Sequence, residues 1–135
     1  MNEVWLSKTS VPDASTAILL GPISEKTIGE ECLSYPKGVL WIAPAETEPA
    51  MTKRFPTLII ARCTDSGDSI MEAIRRVLGI EYDKQPVVKA SRGAETDSQE
   101  LYSAILDMII SEVDSTFRSR KTRNELGYQK QIPVF

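Results

Sequence analysis

The chain has 135 residues, of which 41% are hydrophobic and 26% are charged, so it is long enough for one globular domain with its own core and too short for two. It contains no apolar run near the ~20 residues that cross a bilayer and no secretory signal at its N-terminus, which predicts a cytoplasmic protein without a membrane partner. The absence of histidine excludes nucleophile pairs of the Ser-His or Cys-His type.

Four apolar segments in chain order each break into a polar turn that is followed by helix-like sequence. None of them alternates apolar with polar residues, so each is expected to be a strand buried on both faces, as in a parallel sheet covered by helices. The segments are residues 16–20, 38–43, 57–61 and 86–90. The sequence therefore predicts an α/β, three-layer, Rossmann-like domain over residues 1–123, with a mostly parallel sheet of four to five strands in which residues 4–6 supply a possible edge strand.

The first three predicted helices lie between these strands. Ser24 is the expected N-cap of a helix over 24–34, and a short helix runs from about 51 to 55. A third helix, with apolar residues at helical spacing from Ile70 to Leu78, has a possible capping box at Ser69 and Glu72 and a left-handed C-cap at Gly79.

A long last helix is expected from Asp97, as N-cap, to about residue 123, because one apolar stripe continues through it without Gly or Pro. Gly127 then stops the helix, and residues 124–135 form an exit segment or linker. The apolar residues 132–135 suggest that further chain or a partner covers this end.

The carboxyl ends of parallel strands are the usual ligand site of such folds, and four residues there are candidates for cofactor binding: Gly21, Ser24, Glu46 and Asp65. A GxGxxG loop is missing, however, since only the first glycine is present, Pro22 lacks an N–H donor and Glu25 would repel a phosphate. The alternatives are a degenerate nucleotide or S-adenosylmethionine pocket and a purely structural turn. We predict no cofactor.

Other kinds of site have weaker support. Cys32 and Cys63 are far apart and are expected to be free structural thiols, and no metal-ligand pattern is present. Lys89 lies roughly where receiver domains carry a lysine on their last strand, but Gly21 and Pro22 replace the acidic pair that such domains need. No set of catalytic residues is identified.

The charge is unevenly distributed. The net charge is −3, but residues 118–130 carry five basic residues against Glu125 alone, a local +4 that leaves −7 for the rest. Basic residues at the C-terminal end of a helix are favoured by the helix dipole and can simply be solvated, or they can form a binding surface. No RNA-reading aromatic platform accompanies it, which argues against nucleic acid and for a protein partner. The candidate partner-binding residues are Arg118, Arg120, Lys121, Arg123, Tyr128 and Phe135.

Residues 114–131, DSTFRSRKTRNELGYQKQ, resemble the segment that leads into the core domain of the motility accessory factor family, the Maf-type flagellin glycosyltransferases and 6-hydroxymethylpterin diphosphokinase-like proteins. The resemblance implies a small α/β domain that precedes a catalytic domain. Where that family usually has Trp and Asn, this chain has Tyr128 and Gln131, and no catalytic residue is carried over.

Three hypotheses of function follow. The first is a non-catalytic accessory domain of a glycosyltransferase of that type, which packs on or orients a catalytic domain. The second is a small nucleotide- or S-adenosylmethionine-dependent transferase, in which a nucleotide or nucleotide-sugar is the ligand. The third is a protein-interaction module that docks through its basic C-terminal tail.

Overall fold

The computed structural model describes residues 5–9, 11, 13–47, 51–91 and 99–131, and within these ranges it leaves the side chains of 6, 7, 51, 52, 99 and 122–131 undescribed. The five strands are β1 (Trp5–Lys8), β2 (Thr16–Leu20), β3 (Gly38–Ala43), β4 (Leu58–Arg62) and β5 (Val87–Ser91). The four helices are α1 (Glu25–Ser34), α2 (Met51–Arg54), α3 (Gly67–Leu78) and α4 (Gln99–Gln131).

The strands form one sheet in the order β1-β5-β2-β3-β4. The pairs β5·β2, β2·β3 and β3·β4 are parallel, and β1 is antiparallel to β5 at one edge. The chain therefore runs outward from β2 through β3 to β4 and then returns through α3, so that β5 lies on the other side of β2. This strand order is that of the first four strands of a Rossmann fold. The predicted α/β, Rossmann-like fold with a mostly parallel sheet is confirmed.

Helices cover both faces of the sheet because every residue of β2 and β3 is buried, so side chains on both sides are covered. Ile28 of α1 packs over one face, in a cluster with Ala17, Leu19, Val39 and Trp41. The helices α3 and α4 cover the opposite face; their buried residues there include Ile70, Ile74, Val77, Ile105 and Ile109.

The Tyr102 side chain is buried in the cluster that α3 and α4 form with the sheet. Burial and a hydrogen bond with the Cys63 side chain raise the pKa of Tyr102 above its usual value. Both side chains are at least 95% buried, and both cysteines are free, as predicted.

The caps of α3 differ from the prediction. Ser66, rather than Ser69, is the N-cap, and its hydroxyl accepts a hydrogen bond from the Ser69 backbone N–H at 3.2 Å. Gly79 ends the helix with φ −85° and ψ −11°, which is right-handed, so the expected left-handed cap is wrong as well. Ser66 and Ser69 have the same side chain and are equally suited to the N-cap position, so the sequence pattern alone does not show which of them begins the helix.

The last helix is longer than predicted at its C-terminal end. Gly127 lies inside α4, which continues to Gln131, so the predicted stop there is wrong. One glycine within a helix costs only about 1 kcal/mol and does not by itself end it. The expected N-cap Asp97 and residues 132–135 lie outside the described residues, and the division at residue 123 stays a prediction.

Candidate functional site

The four predicted cofactor-binding residues all follow the ends of parallel strands, at what we call the carboxyl edge of the sheet. Gly21 and Ser24 follow β2, Glu46 follows β3, and Asp65 follows β4. The point where the strand order reverses, and where such folds bind ligands, lies between β2 and β5. The strands that Glu46 and Asp65 follow are therefore about 7 and 12 Å from this point, at ~4.8 Å per strand.

The backbone of Gly21 is already engaged within the fold. Its N–H donates to the Ile42 carbonyl at 3.0 Å, and its carbonyl accepts from Trp41 Nε1 at 2.8 Å. Gly21 has φ 101°, which a residue with a side chain rarely adopts. The glycine is thus needed where the chain leaves β2 for the turn before α1, and its N–H is bonded to β3 rather than free for a ligand.

Ser24 is the N-cap of α1, as predicted. Its hydroxyl oxygen accepts a hydrogen bond from the Thr27 backbone N–H at 3.2 Å and donates to Thr27 Oγ1 at 3.0 Å. The hydroxyl therefore satisfies one of the free N–H groups at the start of the helix.

The two carboxylates behave differently. Asp65 Oδ2 accepts the Arg62 backbone N–H at 2.9 Å and closes the turn after β4. The Arg62 guanidinium donates to the Thr47 carbonyl at 2.9 and 3.1 Å, which ties this turn to the one after β3. Glu46 is exposed in that second turn. Of these two carboxylates, only that of Glu46 has no hydrogen bond within the described part of the chain.

The sequence analysis did not identify Ser91, which ends β5 directly beside the reversal of strand order. Ser91 is fully buried, and Trp5 pairs with it across the sheet. Among the residues that the structure describes, neither the Ser91 hydroxyl nor the Trp5 indole N–H has a hydrogen-bond partner. No residue pattern in the sequence marks these two positions, because β1 pairs with β5 across about 80 residues of chain.

A buried ion pair was also missed. Lys89 Nζ lies 2.7 Å from Glu31 Oε1, and the two side chains are 5% and 10% exposed. The ammonium also lies 5.0 Å from the centre of the Trp5 ring and 5.2 Å from that of Tyr35. The position of Lys89 within the buried strand β5 could have indicated this pair, because a buried lysine requires an oppositely charged or hydrogen-bonded partner. The pair joins β5 to α1 and gives Lys89 a structural role.

Five of the six candidate partner-binding residues lie in the C-terminal half of α4, from Arg118 to Tyr128. Arg118 pairs with Asp114 at 2.6 Å on the surface, and Lys121 is exposed. The Arg120 guanidinium donates to the carbonyls of Leu78 and Tyr82 at 2.8 and 3.0 Å and stacks on the Tyr82 and Phe117 rings. The side chains of Arg123 and Tyr128, and all of Phe135, lie outside the described residues.

Removing the Ser24 hydroxyl separates a structural role from a ligand-binding one. Ser24→Ala is expected to lower the free energy of unfolding by about 1 kcal/mol, because an N-cap hydrogen bond is lost. Ser34→Ala, at the exposed other end of the same helix, is the matched control and should change it by less than about 0.5 kcal/mol. Urea denaturation measures both, and equal stabilities for the two variants would contradict the capping role.

Comparison of the chain with protein-family models, with curated proteins and with solved structures gave no match. Within the described ranges, no helix combines the length and the apolar character needed to span a membrane. The same residues contain no group of three or more Cys, Asp or Glu side chains arranged to hold a metal ion.

Proposed function

We propose that this chain is an accessory α/β domain that packs on a catalytic partner domain and orients it. The finer form of the proposal takes the partner to be a core domain of the motility accessory factor type, because residues 114–131 resemble the segment that leads into that core. In this proposal the domain supplies a docking surface and no reacting group.

The observation that carries the proposal is the length of α4 relative to the sheet it covers. Its buried residues extend from Tyr102 to Val113, and its last described contacts with other elements are those of Arg120. Arg120 contacts Leu78, which ends α3, and Tyr82, which lies between α3 and β5. This point is therefore at the opposite edge of the sheet, which we call the amino edge. The helix continues to Gln131, about 16 Å further at ~1.5 Å per residue. We infer that a second folded unit packs on this part of the helix.

The carboxyl edge supports the same proposal, because its groups stabilise the fold. The Gly21 N–H, the Ser24 hydroxyl and the Asp65 carboxylate each have a structural hydrogen-bond partner. Two further carboxylates lie along the carboxyl edge, those of Glu46 after β3 and Asp68 in the first turn of α3. Negative charges along this edge repel the phosphates of a nucleotide that binds there. These contacts disfavour the nucleotide-dependent transferase hypothesis.

A binding experiment with two arms tests the proposal. In the first, the purified chain is titrated by calorimetry with a purified core domain of the motility accessory factor family, and we expect a complex with a dissociation constant in the micromolar range. Truncation after Lys121 should weaken this complex at least tenfold, while the midpoint of thermal unfolding changes little because the core residues of α4 remain.

In the second arm, the chain is titrated with ATP, UDP-N-acetylglucosamine and S-adenosylmethionine. We expect no saturable heat for any of them. Tight nucleotide binding that Glu46→Ala abolishes would overturn the proposal in favour of the transferase, and equal affinity of the core domain for the truncated and full-length chains would remove the role of α4.

A further inference from the structure

A groove with an apolar floor runs between α1 and the connection from α2 to β4. Its volume is about 610 Å³. We call it the α1 groove, and its central residues are Cys32, Leu33, Phe55, Pro56 and Thr57. The helix α2 that precedes Phe55 is a single turn.

Leu33 lies at the rim of the α1 groove with 84% of its surface exposed. It is by a wide margin the most exposed large apolar residue among those the structure describes. The Phe55 ring approaches α1 closely, within 3.6 Å of where a Cβ on Gly29 would be. An exposed leucine beside an aromatic floor is an arrangement typical of a contact surface.

The α1 groove is continuous with the place where α4 passes the amino edge. A Cβ on Gly38 would lie 2.6 Å from Cδ1 of Ile80 and 3.9 Å from the Thr57 carbonyl oxygen, so Ile80 packs across the start of β3 next to the groove wall. Ile80 and Tyr82 are 38% and 43% exposed, and Arg120 of α4 stacks on Tyr82. A single surface therefore extends from Leu33 through Ile80 and Tyr82 to α4.

Lysines border this surface. Lys26 lines the α1 groove, Lys37 precedes β3, and Lys121 follows Arg120 on α4; the last two are exposed. Arg54 also lines the groove and is paired with Glu25. The other carboxylates along this border are those of Glu30, Glu81 and Asp83, against the ammonium groups of Lys26, Lys37, Lys84 and Lys121, which leaves the border positive by one charge. A partner with carboxylates around an apolar contact is complementary to it.

We infer that the α1 groove and the amino edge form one docking face, and that its occupant is an apolar, acid-flanked segment of the partner domain. This inference rests on the proposed function and names where the partner sits: it contacts α4 and, in the same interface, fills the groove beside Leu33. The contact at Leu33 supplies the apolar part of the interface, and the lysines select the orientation.

The test measures binding of the same core domain to two matched variants. Leu33→Asp is expected to weaken the complex at least tenfold, because it places a carboxylate in an apolar contact that faces acidic groups. Leu101→Asp is the control, because Leu101 is 39% exposed near the start of α4, away from the amino edge. The affinity of this variant for the core domain should stay within twofold of that of the wild-type chain. Both positions are exposed, so both variants are expected to fold, which circular dichroism checks.

A chemical footprint gives an independent readout. Cys32 lines the α1 groove, and burial together with the Glu31 carboxylate raises the pKa of its thiol, so alkylation with N-ethylmaleimide is measured at pH 8.5. Cys63 is 4% exposed and should not react in the folded chain. Bound core domain is expected to slow Cys32 alkylation at least fivefold.

The outcomes separate the two proposals. No complex with the wild-type chain overturns the proposed function and this inference together. A complex of wild-type affinity in Leu33→Asp, with Cys32 alkylated at its free rate, overturns this inference alone and leaves the proposed function standing. A homodimer of the chain that sedimentation detects and that Leu33→Asp dissociates would assign the face to a second copy and overturn the inference as well.

Discussion

Replacing Lys89 by methionine is expected to lower the free energy of unfolding by about 3–5 kcal/mol, the cost of leaving one member of a buried ion pair without its partner. Lys89 Nζ is 2.7 Å from Glu31 Oε1, and both side chains are at least 90% buried. The variant would leave the Glu31 carboxylate between α1 and β5 with no cation to offset its desolvation. Glu31→Leu is expected to have a similar effect, because it leaves the ammonium buried instead.

The double variant Glu31→Leu/Lys89→Met distinguishes this explanation from a simple loss of contacts. Two apolar side chains of similar size remove both charges, so its stability should return to within about 1 kcal/mol of the wild type. Urea denaturation followed by tryptophan fluorescence measures all four proteins. If the double variant loses the sum of the two single effects, the charges are not coupled.

The surface pair Arg118–Asp114 is the control for this cycle. Its side chains are 75% and 62% exposed, so solvent screens the attraction and Asp114→Asn should change the stability by no more than about 0.5 kcal/mol. The contrast between the two pairs would show that burial, and not the presence of an ion pair, sets the size of the effect.

Ile109→Ala is expected to cost about 2–5 kcal/mol, the range for truncating a fully buried isoleucine. Ile109 is 0% exposed and belongs to the cluster that also contains Ile74 of α3 and Leu20 of β2. It therefore fixes the first third of α4 to the sheet. A domain of this size has a total stability of about 5–15 kcal/mol, so the loss is a large share of it.

Ile110→Ala is the matched control for Ile109→Ala, since it makes the same chemical change one residue further along. Ile110 is 44% exposed, and its replacement should alter the stability by less than about 1 kcal/mol. Circular dichroism and tryptophan fluorescence should report one common transition for Ile109→Ala, because the helix and the sheet share one core. Separate transitions would mean that α4 unfolds independently, and a loss below 1 kcal/mol would mean that the helix is not anchored there.

The strands were predictable because the residues of β2 and β3 are apolar without alternation, and only burial on both faces accommodates such a pattern. α3 was equally clear, since Ile70, Ile74, Val77 and Leu78 recur at helical spacing. Ser24 as N-cap of α1 followed from local chemistry alone. These features depend on neighbours within a few residues, which is the range over which a sequence pattern carries information.

The end of α4 and the caps of α3 were harder to predict. Gly127 disfavours a helix only slightly, and Ser66 and Ser69 are chemically equivalent as caps, so energies of about 1 kcal/mol or less decide both outcomes. Packing and long-range contacts readily exceed differences of that size.

The candidate site was predicted only as a set of strand ends. The sequence pattern predicted that Gly21, Ser24, Glu46 and Asp65 follow their strands. It did not predict the hydrogen bond that Gly21 donates to Ile42 or the one that it accepts from Trp41, because these residues are about 20 positions apart. The α1 groove joins the end of α1 to the start of β4 in the same way. Neither arrangement has a local signal.

By itself, the sequence determined an α/β domain with buried parallel strands, helices on both faces and a basic segment near its C-terminal end. The tertiary structure decided that β5 lies beside β2, that Lys89 meets Glu31 across 58 residues of chain, and that Leu33, Ile80 and Tyr82 border one edge. The physical reason is that hydrophobic periodicity records whether a residue is buried, whereas the identity of its neighbours depends on strand order, which is set by the packing of the whole chain.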